Sequence, residues 1–379
     1  MNTGSRKKAL VVDDSAFMRK LISDFLSSHP KIEVIGTARN GQDAIEKVVA
    51  LKPDVVTMDI EMPLMNGLEA LQEIMAKHPV PVVMLSSTTE IGAENTMLAM
   101  EYGAVDFIAK PGGAISLNLH EVRDEIVEKV ISASEVRLST LTRKTSSPLV
   151  AVPSVLKKGV KSTPLQRDIT PLSDIRPRMP DVKIPKRGKT FVIIGTSTGG
   201  PRALQEVLTQ LPESIGVPIL VVQHMPPGFT KSLADRLNSL CSIQVKEAEH
   251  GELLGNGTAY IAPGGKHLKM VKKGVSYYAQ LDDLESPRMG HRPSVDVLLE
   301  SAATCADVNY VTVIMTGMGN DGTRGMEVLR RKGRTVTIAE SANTSIVYGM
   351  PKAIKEAGFA DRIVDLQDIP DSILEMIKA

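Results

Sequence analysis

Two patterns of apolar positions alternate along the chain, and the alternation runs through twice. In the first 140 residues KALVVDD, IEVIGTA, VVTMD, VPVVMLS and AVDFIAKP are short apolar runs that read as strands. Between them SAFMRKLISDFLSS, QDAIEKVVALK and GLEALQEIMAKH place apolar residues at helical spacing, with further helices around 92–102 and about 118–138. Strands that alternate with helices imply a parallel sheet covered on both faces, and in such sheets ligands sit beyond the carboxyl ends of the strands.

From residue 190 the alternation resumes. FVIIG, PILVVQH, YVTVIMTG and TVTIAE read as strands, and PRALQEVLTQL, FTKSLADRLNSL, RPSVDVLLESAATC, TRGMEVLRRKG and VYGMPKAIKEAG as helices. Shorter strands joined by glycines fill 244–281, and DRIVDL and PDSILEMIKA close the chain. The expected fold class is α/β twice over: a flavodoxin-like five-stranded parallel sheet, then a doubly wound domain with a mostly parallel sheet.

Composition separates the two. Residues 1–140 carry 14 basic and 20 acidic side chains, 141–189 carry 12 and 3, and 190–379 carry 19 and 21. The middle segment is therefore net +9 and holds seven prolines between 148 and 185, which break helices and withdraw sheet donors. It reads as a basic, extended or disordered linker between domains spanning 1–140 and 190–379. Its charge opposes the net −6 of the first domain and is expected to help hold that domain near the second. No apolar run approaches the roughly 20 residues of a bilayer span, and the N-terminus lacks the apolar region of a signal peptide, so a cytoplasmic protein is expected. Cys241 and Cys305 have no neighbouring Cys or His at ligand spacing, so neither a disulfide framework nor a zinc site is supported, and both read as buried thiols that fill core space.

Polar residues collect where the first set of strands ends: Asp13 and Asp14, Asp59, Ser86 and Lys110. Three converging carboxylates repel one another unless a hard divalent cation, of which magnesium is the natural choice, neutralises them. A nucleophilic carboxylate there can accept a phosphoryl group. With VVDDS, DIEMPLMNG, MLSS and AKP in place, the first 120 or so residues resemble the receiver domain of two-component response regulators. The resemblance implies that Asp59 accepts the phosphoryl group from a histidine kinase, and that Asp13, Asp14 and Asp59 bind Mg²⁺ with the backbone carbonyl of Glu61. It also implies that Ser86 and Lys110 contact the phosphoryl group and that Phe107 is the switch aromatic, where many receivers have Tyr.

In the second domain FVIIGTSTGGPRAL admits two readings, a phosphate cradle or a turn that presents Ser197 as a nucleophile. A dinucleotide fingerprint needs a glycine at 197 and an acidic residue about 20 positions on; Ser197 and His224 stand there instead. G-x-S-x-G between a strand and a helix fits the nucleophile turn. His224 ends the next strand, and the loop GMGNDG brings Asp321 to the same edge, in an order unlike that of ordinary α/β-hydrolases. His250, His267 and His291 fall in expected loops or hairpins and have weaker claims.

GTSTGGP, QHMPPGFT, IAPGGKHL, GHRPSVD and TGMGNDG together resemble the catalytic domain of the chemotaxis protein-glutamate methylesterases. That resemblance implies Ser197 as nucleophile, His224 as general base and then acid, and Asp321 as its orienter. The Met318 N–H and Thr198 match the oxyanion-stabilising positions, and the esterase needs no cofactor. The implied substrates are methylated, and in many members amidated, glutamyl side chains on the cytoplasmic helices of chemoreceptors. An output domain that contacts DNA is excluded by the net charge of −2 over 190–379 and the lack of a helix-turn-helix pattern, so neither nucleic acid nor membrane insertion is expected.

Overall fold

In the computed structural model, residues 6–110, 119–136, 188–305, 307–332 and 334–378 are described; the basic Pro-rich linker expected over 141–189 lies almost wholly outside them. The first apolar alternation builds a five-stranded sheet of β1 (Lys7–Val12), β2 (Ile32–Ala38), β3 (Val55–Asp59), β4 (Val82–Ser86) and β5 (Asp106–Ala109), in the order β2-β1-β3-β4-β5. Every pairing in it is parallel. β3 and β4 are buried along their whole length because helices cover both faces: α1 (Ala16–Ser27), α2 (Gly41–Leu51), α3 (Gly67–Lys77), α4 (Glu90–Glu101) and α5 (Leu119–Ser134). Strand order reverses direction between β1 and β3, which sets Asp13 and Asp59 side by side.

The second alternation builds a seven-stranded sheet, again parallel at every pairing, in the order β14-β13-β12-β6-β7-β9-β8. Its strands are β6 (Lys189–Thr196), β7 (Ile219–Gln223), β8 (Gln244–Glu247), β9 (Thr258–Ile261), β12 (Val308–Ile314), β13 (Thr335–Glu340) and β14 (Arg362–Val364). An antiparallel hairpin, β10 (His267–Lys273) with β11 (Ser276–Asp282), stands apart from it. The helices are α6 (Gly200–Leu208), α7 (Phe229–Leu240), α8 (Val295–Ala302), α9 (Thr323–Arg330), α10 (Met350–Glu356) and α11 (Ile369–Lys378). Successive strands leave β6 toward β7 on one side, and β12 returns on the other, so the reversal of this sheet lies at the end of β6, beside Ser197.

The two sheets are not independent bodies in this arrangement. Phe107 from β5 stacks on Phe229 at the start of α7, ring centroids 4.7 Å apart, and a continuous apolar cluster runs from Met97 and Met100 through this pair to Leu233. Arg236 on α7 pairs with Glu101 on α4. α4 buries Gly92, Ala93, Thr96, Met97, Ala99 and Met100, a face too wide for a helix packed on one side only. One part of that face meets the first sheet and the other meets α7. Among the described residues no helix is long and apolar enough to cross a membrane.

Candidate active site and its regulatory partner

The turn after β6 is shaped by glycines for identifiable reasons. Gly199 caps α6 at φ +76°, in the left-handed region, and Pro201 opens the helix in its first turn, where a missing N–H is harmless. At Gly200 a Cβ would lie 1.8 Å from Gln223 Oε1, so no side chain fits there. Gln223, the last residue of β7, ties the turn to the next strand: its Nε2 donates to Ser197 O at 3.0 Å and to His224 O at 3.1 Å, while its Oε1 accepts from Thr196 Oγ1 at 2.6 Å. Since Thr196 pairs with Gln223 in the sheet, Ser197 and His224 are consecutive across the strand ends.

His224 Nε2 lies 2.8 Å from Asp321 Oδ2. Both side chains are almost wholly shielded from water, at 6% and 2% exposure. Burial by itself would raise the Asp321 carboxyl, but the bond from His224 and the backbone N–H groups of Asp296 and Val295 outweigh it and hold the group down at about 2. Ser294 Oγ and the Gly322 N–H also donate to Asp321 Oδ1, at 2.9 and 3.0 Å. An ionised Asp321 accepts, so Nε2 carries a hydrogen, and Nδ1 is the ring nitrogen that a neutral imidazole would offer as acceptor. That Nδ1 is buried and has no hydrogen-bond partner; the bond from Ser197 Oγ is not closed in this arrangement.

His291 stacks on the His224 ring at a centroid separation of 3.9 Å and an interplanar angle of 11°. Its burial and the neighbouring His224 push it down to about 4, so it is neutral near pH 7. In the sequence it has a weaker claim than His224, and its position against the ring is not legible there. Thr198 and Met318 flank the turn. The Thr198 hydroxyl, however, donates to Asp106 Oδ2 of β5 at 2.6 Å, in a buried bond between the two sheets. Asp106 also accepts from the Phe107 N–H and pairs with Lys129 of α5, whose ammonium donates to Phe107 O. Burial disfavours the Lys129 charge, but Asp106 and Glu125 more than compensate and hold it above its ordinary value. Ser132 of α5 donates to the Met318 sulfur, and Ile346 and Val347 pack against the apolar cluster that holds α5. Gln223, Ser294 and Asp106 thus reach the candidate site without being singled out in the sequence, although Gln223 and Ser294 stand inside QHMPPGFT and GHRPSVD, and His291 has only a weaker claim there.

At the first sheet's edge, oxygen atoms of Asp13, Asp14 and Asp59 lie within 4.8 Å of one another. Lys110 Nζ is 2.7 Å from Asp59 Oδ2 and 3.2 Å from Asp13 Oδ2, yet no hydrogen bond is closed on that buried Asp13 oxygen. Burial raises the Asp59 carboxyl to about 6 against the pull of Lys110. Three carboxylates with a single ammonium between two of them are a donor set suited to a hard divalent cation. The Glu61 N–H reaches Asp59 Oδ1 at 3.4 Å. Ser86 is turned away from this cluster, its hydroxyl donating to Gly92 O of α4 at 2.9 Å, and Phe107 points to the contact between the sheets.

Residues 192–373 match the family model described as CheB methylesterase, and residues 9–120 match the response regulator receiver domain. The chain is 55% identical to a protein-glutamate methylesterase/protein-glutamine glutaminase of Geobacillus kaustophilus, with 98% of each chain covered. It is 47% identical to the protein of that name from Bacillus subtilis, again over 98% of each. Among solved structures it is similar to the CheB methylesterase catalytic domain of Thermotoga maritima, at 44% identity and a TM-score of 0.48, covering 49% of this chain and 98% of that one. A receiver sheet and a hydrolase-like site thus share one chain with relatives matched end to end, and the chain belongs to the protein-glutamate methylesterase/protein-glutamine glutaminase family.

Proposed function

We propose that this protein hydrolyses γ-methyl esters of glutamyl side chains on the cytoplasmic domains of chemoreceptors, releasing methanol, and deamidates glutamines at such sites, under the control of phosphorylation at Asp59. The observation that carries the reading is the buried His224–Asp321 pair, set beside the Ser197 turn with His224 Nδ1 left free. His224 Nδ1 takes the Ser197 proton as Oγ attacks the ester carbonyl. The developing oxyanion is stabilised by the Met318 N–H and Thr198, and the positive end of α6 adds to the field. His224 then returns the proton to the leaving methoxide, and water attacks the acyl-enzyme by the same route in reverse. A neutral His291 against the ring adds no like charge to the imidazolium that forms.

The receiver supplies control. Asp13, Asp14, Asp59 and the Glu61 carbonyl would hold Mg²⁺, whose charge, when bound, would offset that of the carboxylates and of the phosphoryl group. A histidine kinase donates that group in a cytoplasmic setting. Ser86 turns from Gly92 O toward the phosphoryl oxygens, Phe107 leaves Phe229, and Asp106 beside it releases Thr198. In the unphosphorylated state the receiver then inhibits in two ways: it covers the site, and it occupies a hydroxyl the oxyanion needs. A two-state docking equilibrium shifted by a few kcal/mol suffices.

The test is methanol release from a methyl-labelled chemoreceptor cytoplasmic fragment by wild type, Ser197→Ala and Asp59→Asn, with and without a small-molecule phosphodonor. Release that requires Ser197, and that the donor stimulates only when Asp59 is present, supports both halves. Release that survives Ser197→Ala overturns the nucleophile.

A further inference from the structure

One buried carboxyl group beside the site has no part in the chemistry above. Glu340 ends β13 and is fully buried, and its two oxygens accept from neutral donors: Oε2 from the Thr316 N–H at 2.8 Å and Oε1 from Thr344 Oγ1 at 2.9 Å. The parallel ladder between β12 and β13 ends at Ile314 and Ala339. Glu340 thus places a side-chain oxygen where the sheet no longer offers a carbonyl to the N–H of Thr316.

Thr316 is the hub that this bond holds. Its carbonyl accepts from the Ser197 N–H at 3.0 Å, and its hydroxyl donates to Thr198 O at 2.8 Å and accepts from the Val347 N–H at 2.9 Å. The next residue, Gly317, donates to Val347 O at 3.0 Å and leads directly into Met318. At Gly317 a Cβ would lie 2.8 Å from the Ser197 Cβ, so the strand end and the nucleophile turn are in van der Waals contact. One residue therefore sets the separation of the two walls between which an oxyanion would sit: Ser197 and Thr198 on one side, Met318 on the other.

Keeping an acid here is unfavourable for the fold alone. Burial raises the Glu340 carboxyl to about 7, and the nearby Asp365 charge adds to the rise. An apolar residue would avoid that penalty but would leave the Thr316 N–H buried without an acceptor.

We propose that Glu340 is a positioning residue for the hydrolase reaction, acting through Thr316 to fix the spacing between the Ser197–Thr198 turn and the Met318 N–H. The inference rests on the roles assigned to those three residues above. It requires an acceptor at the right reach rather than a negative charge. A glutamine meets the requirement, with its carbonyl accepting from Thr316 and its amide donating to Thr344 Oγ1. An aspartate, one methylene shorter, does not.

The test uses the full-length chain with phosphodonor, and active sites are counted by titration with a serine-reactive fluorophosphonate so that unfolded protein does not enter the rate. Glu340→Ala and Glu340→Asp are expected to lower kcat for methanol release about tenfold to a hundredfold, part of what losing one oxyanion donor costs. KM should stay within about twofold, and Glu340→Gln should restore kcat to within about threefold of wild type. Thr316→Val should lower kcat too, and combining it with Glu340→Ala should add less than the sum of the two. Wild-type kcat per titrated site in Glu340→Asp, or a Glu340→Gln as impaired as Glu340→Ala, overturns the proposal. If Glu340→Ala does not fold, the Asp and Gln variants decide. The rate of phosphonylation of Ser197 also depends on the oxyanion pocket. If wild type released no methanol but reacted with the probe, the substrate reading would fail while the probe rates still tested Glu340.

Discussion

Replacing Asp106 by alanine removes the bond by which the receiver holds the Thr198 hydroxyl, and the size of the effect follows from the geometry. The bond is 2.6 Å long, buried, and made to a carboxylate. A hydrogen bond to a charged group contributes about 1.5–3 kcal/mol, and each 1.4 kcal/mol is a factor of ten, so the docking constant should fall about tenfold to a hundredfold. If docking blocks the site, activity without phosphodonor rises by a comparable factor until the undocked fraction saturates. Asp106→Asn keeps a neutral bond to the Thr198 oxygen and should fall between. The measurement is methanol release without phosphodonor, in an Asp59→Asn background so that phosphorylation contributes nothing. Asp106 also pairs with Lys129 within the receiver, so a misfolded receiver would raise activity for the wrong reason. Phosphate uptake by the Asp106→Ala single variant checks that the receiver remains folded. A folded receiver, with activity in the double variant no higher than in Asp59→Asn alone, refutes the reasoning.

The remaining predictions concern the two sites separately. Ser197→Ala should lower methanol release by more than about a thousandfold while leaving phosphate uptake at Asp59 unchanged, and Asp321→Asn, which loses the acceptor that fixes the His224 tautomer, should fall by a similar factor. Asp321 should also show in the pH dependence of stability. Its carboxyl is held at about 2 in the fold against an ordinary 3.8, so the stabilisation is complete above about 3.8 and is lost as pH falls toward 2. The difference of about 2 kcal/mol should appear in urea titrations of wild type across that window and be absent from Asp321→Asn. Phosphate uptake from a small-molecule donor should vanish in Asp59→Asn and on chelation of divalent cations, and return when Mg²⁺ is restored; uptake that survives chelation removes the metal from the receiver.

What the sequence made legible, and what it did not, divides along a physical line. Strand ends are legible because burial on both faces forces a run of apolar residues, and the first polar residue after the run marks the edge where ligands sit. Asp13 and Asp59 stand at such ends, whereas Ser197 is singled out by the G-x-S-x-G turn, His224 stands one residue past the first polar position, and Asp321 comes with the loop GMGNDG beyond its strand. Glu340 also ends an apolar run, TVTIAE, but nothing local distinguishes an acid that supports a neighbouring strand from one that merely meets water. Gln223 and Ser294 are ordinary residues whose bonds to the site run to partners far away in the chain, Thr196 and Ser197 for the one and Asp321 for the other. Asp106 is the sharpest instance. It stands next to Phe107 in VDFIAKP, yet its partner Thr198 lies in the turn that follows β6, in the other domain.

One local signal of that contact does exist, in the helix before β5. A helix lying on a single sheet needs one apolar stripe, and α1, α2 and α3 each have one. In α4, GAENTMLAM spreads small and apolar residues over adjoining stripes, and in the structure the extra stripe meets α7. A helix patterned for two neighbours in a sheet that supplies only one is a sequence-level mark of a second domain docked against it. By the same reasoning a charge placed on that stripe should weaken docking without disturbing the receiver's own core. Met97 is the wrong place to try it, since it lies in the shared cluster. The rim residue Glu101, paired with Arg236, is the right one: Glu101→Lys sets two cations together at the edge of the interface and should raise the activity of the Asp59→Asn protein in the same direction as Asp106→Ala, by a smaller factor because exposed pairs contribute about 0.2–1 kcal/mol.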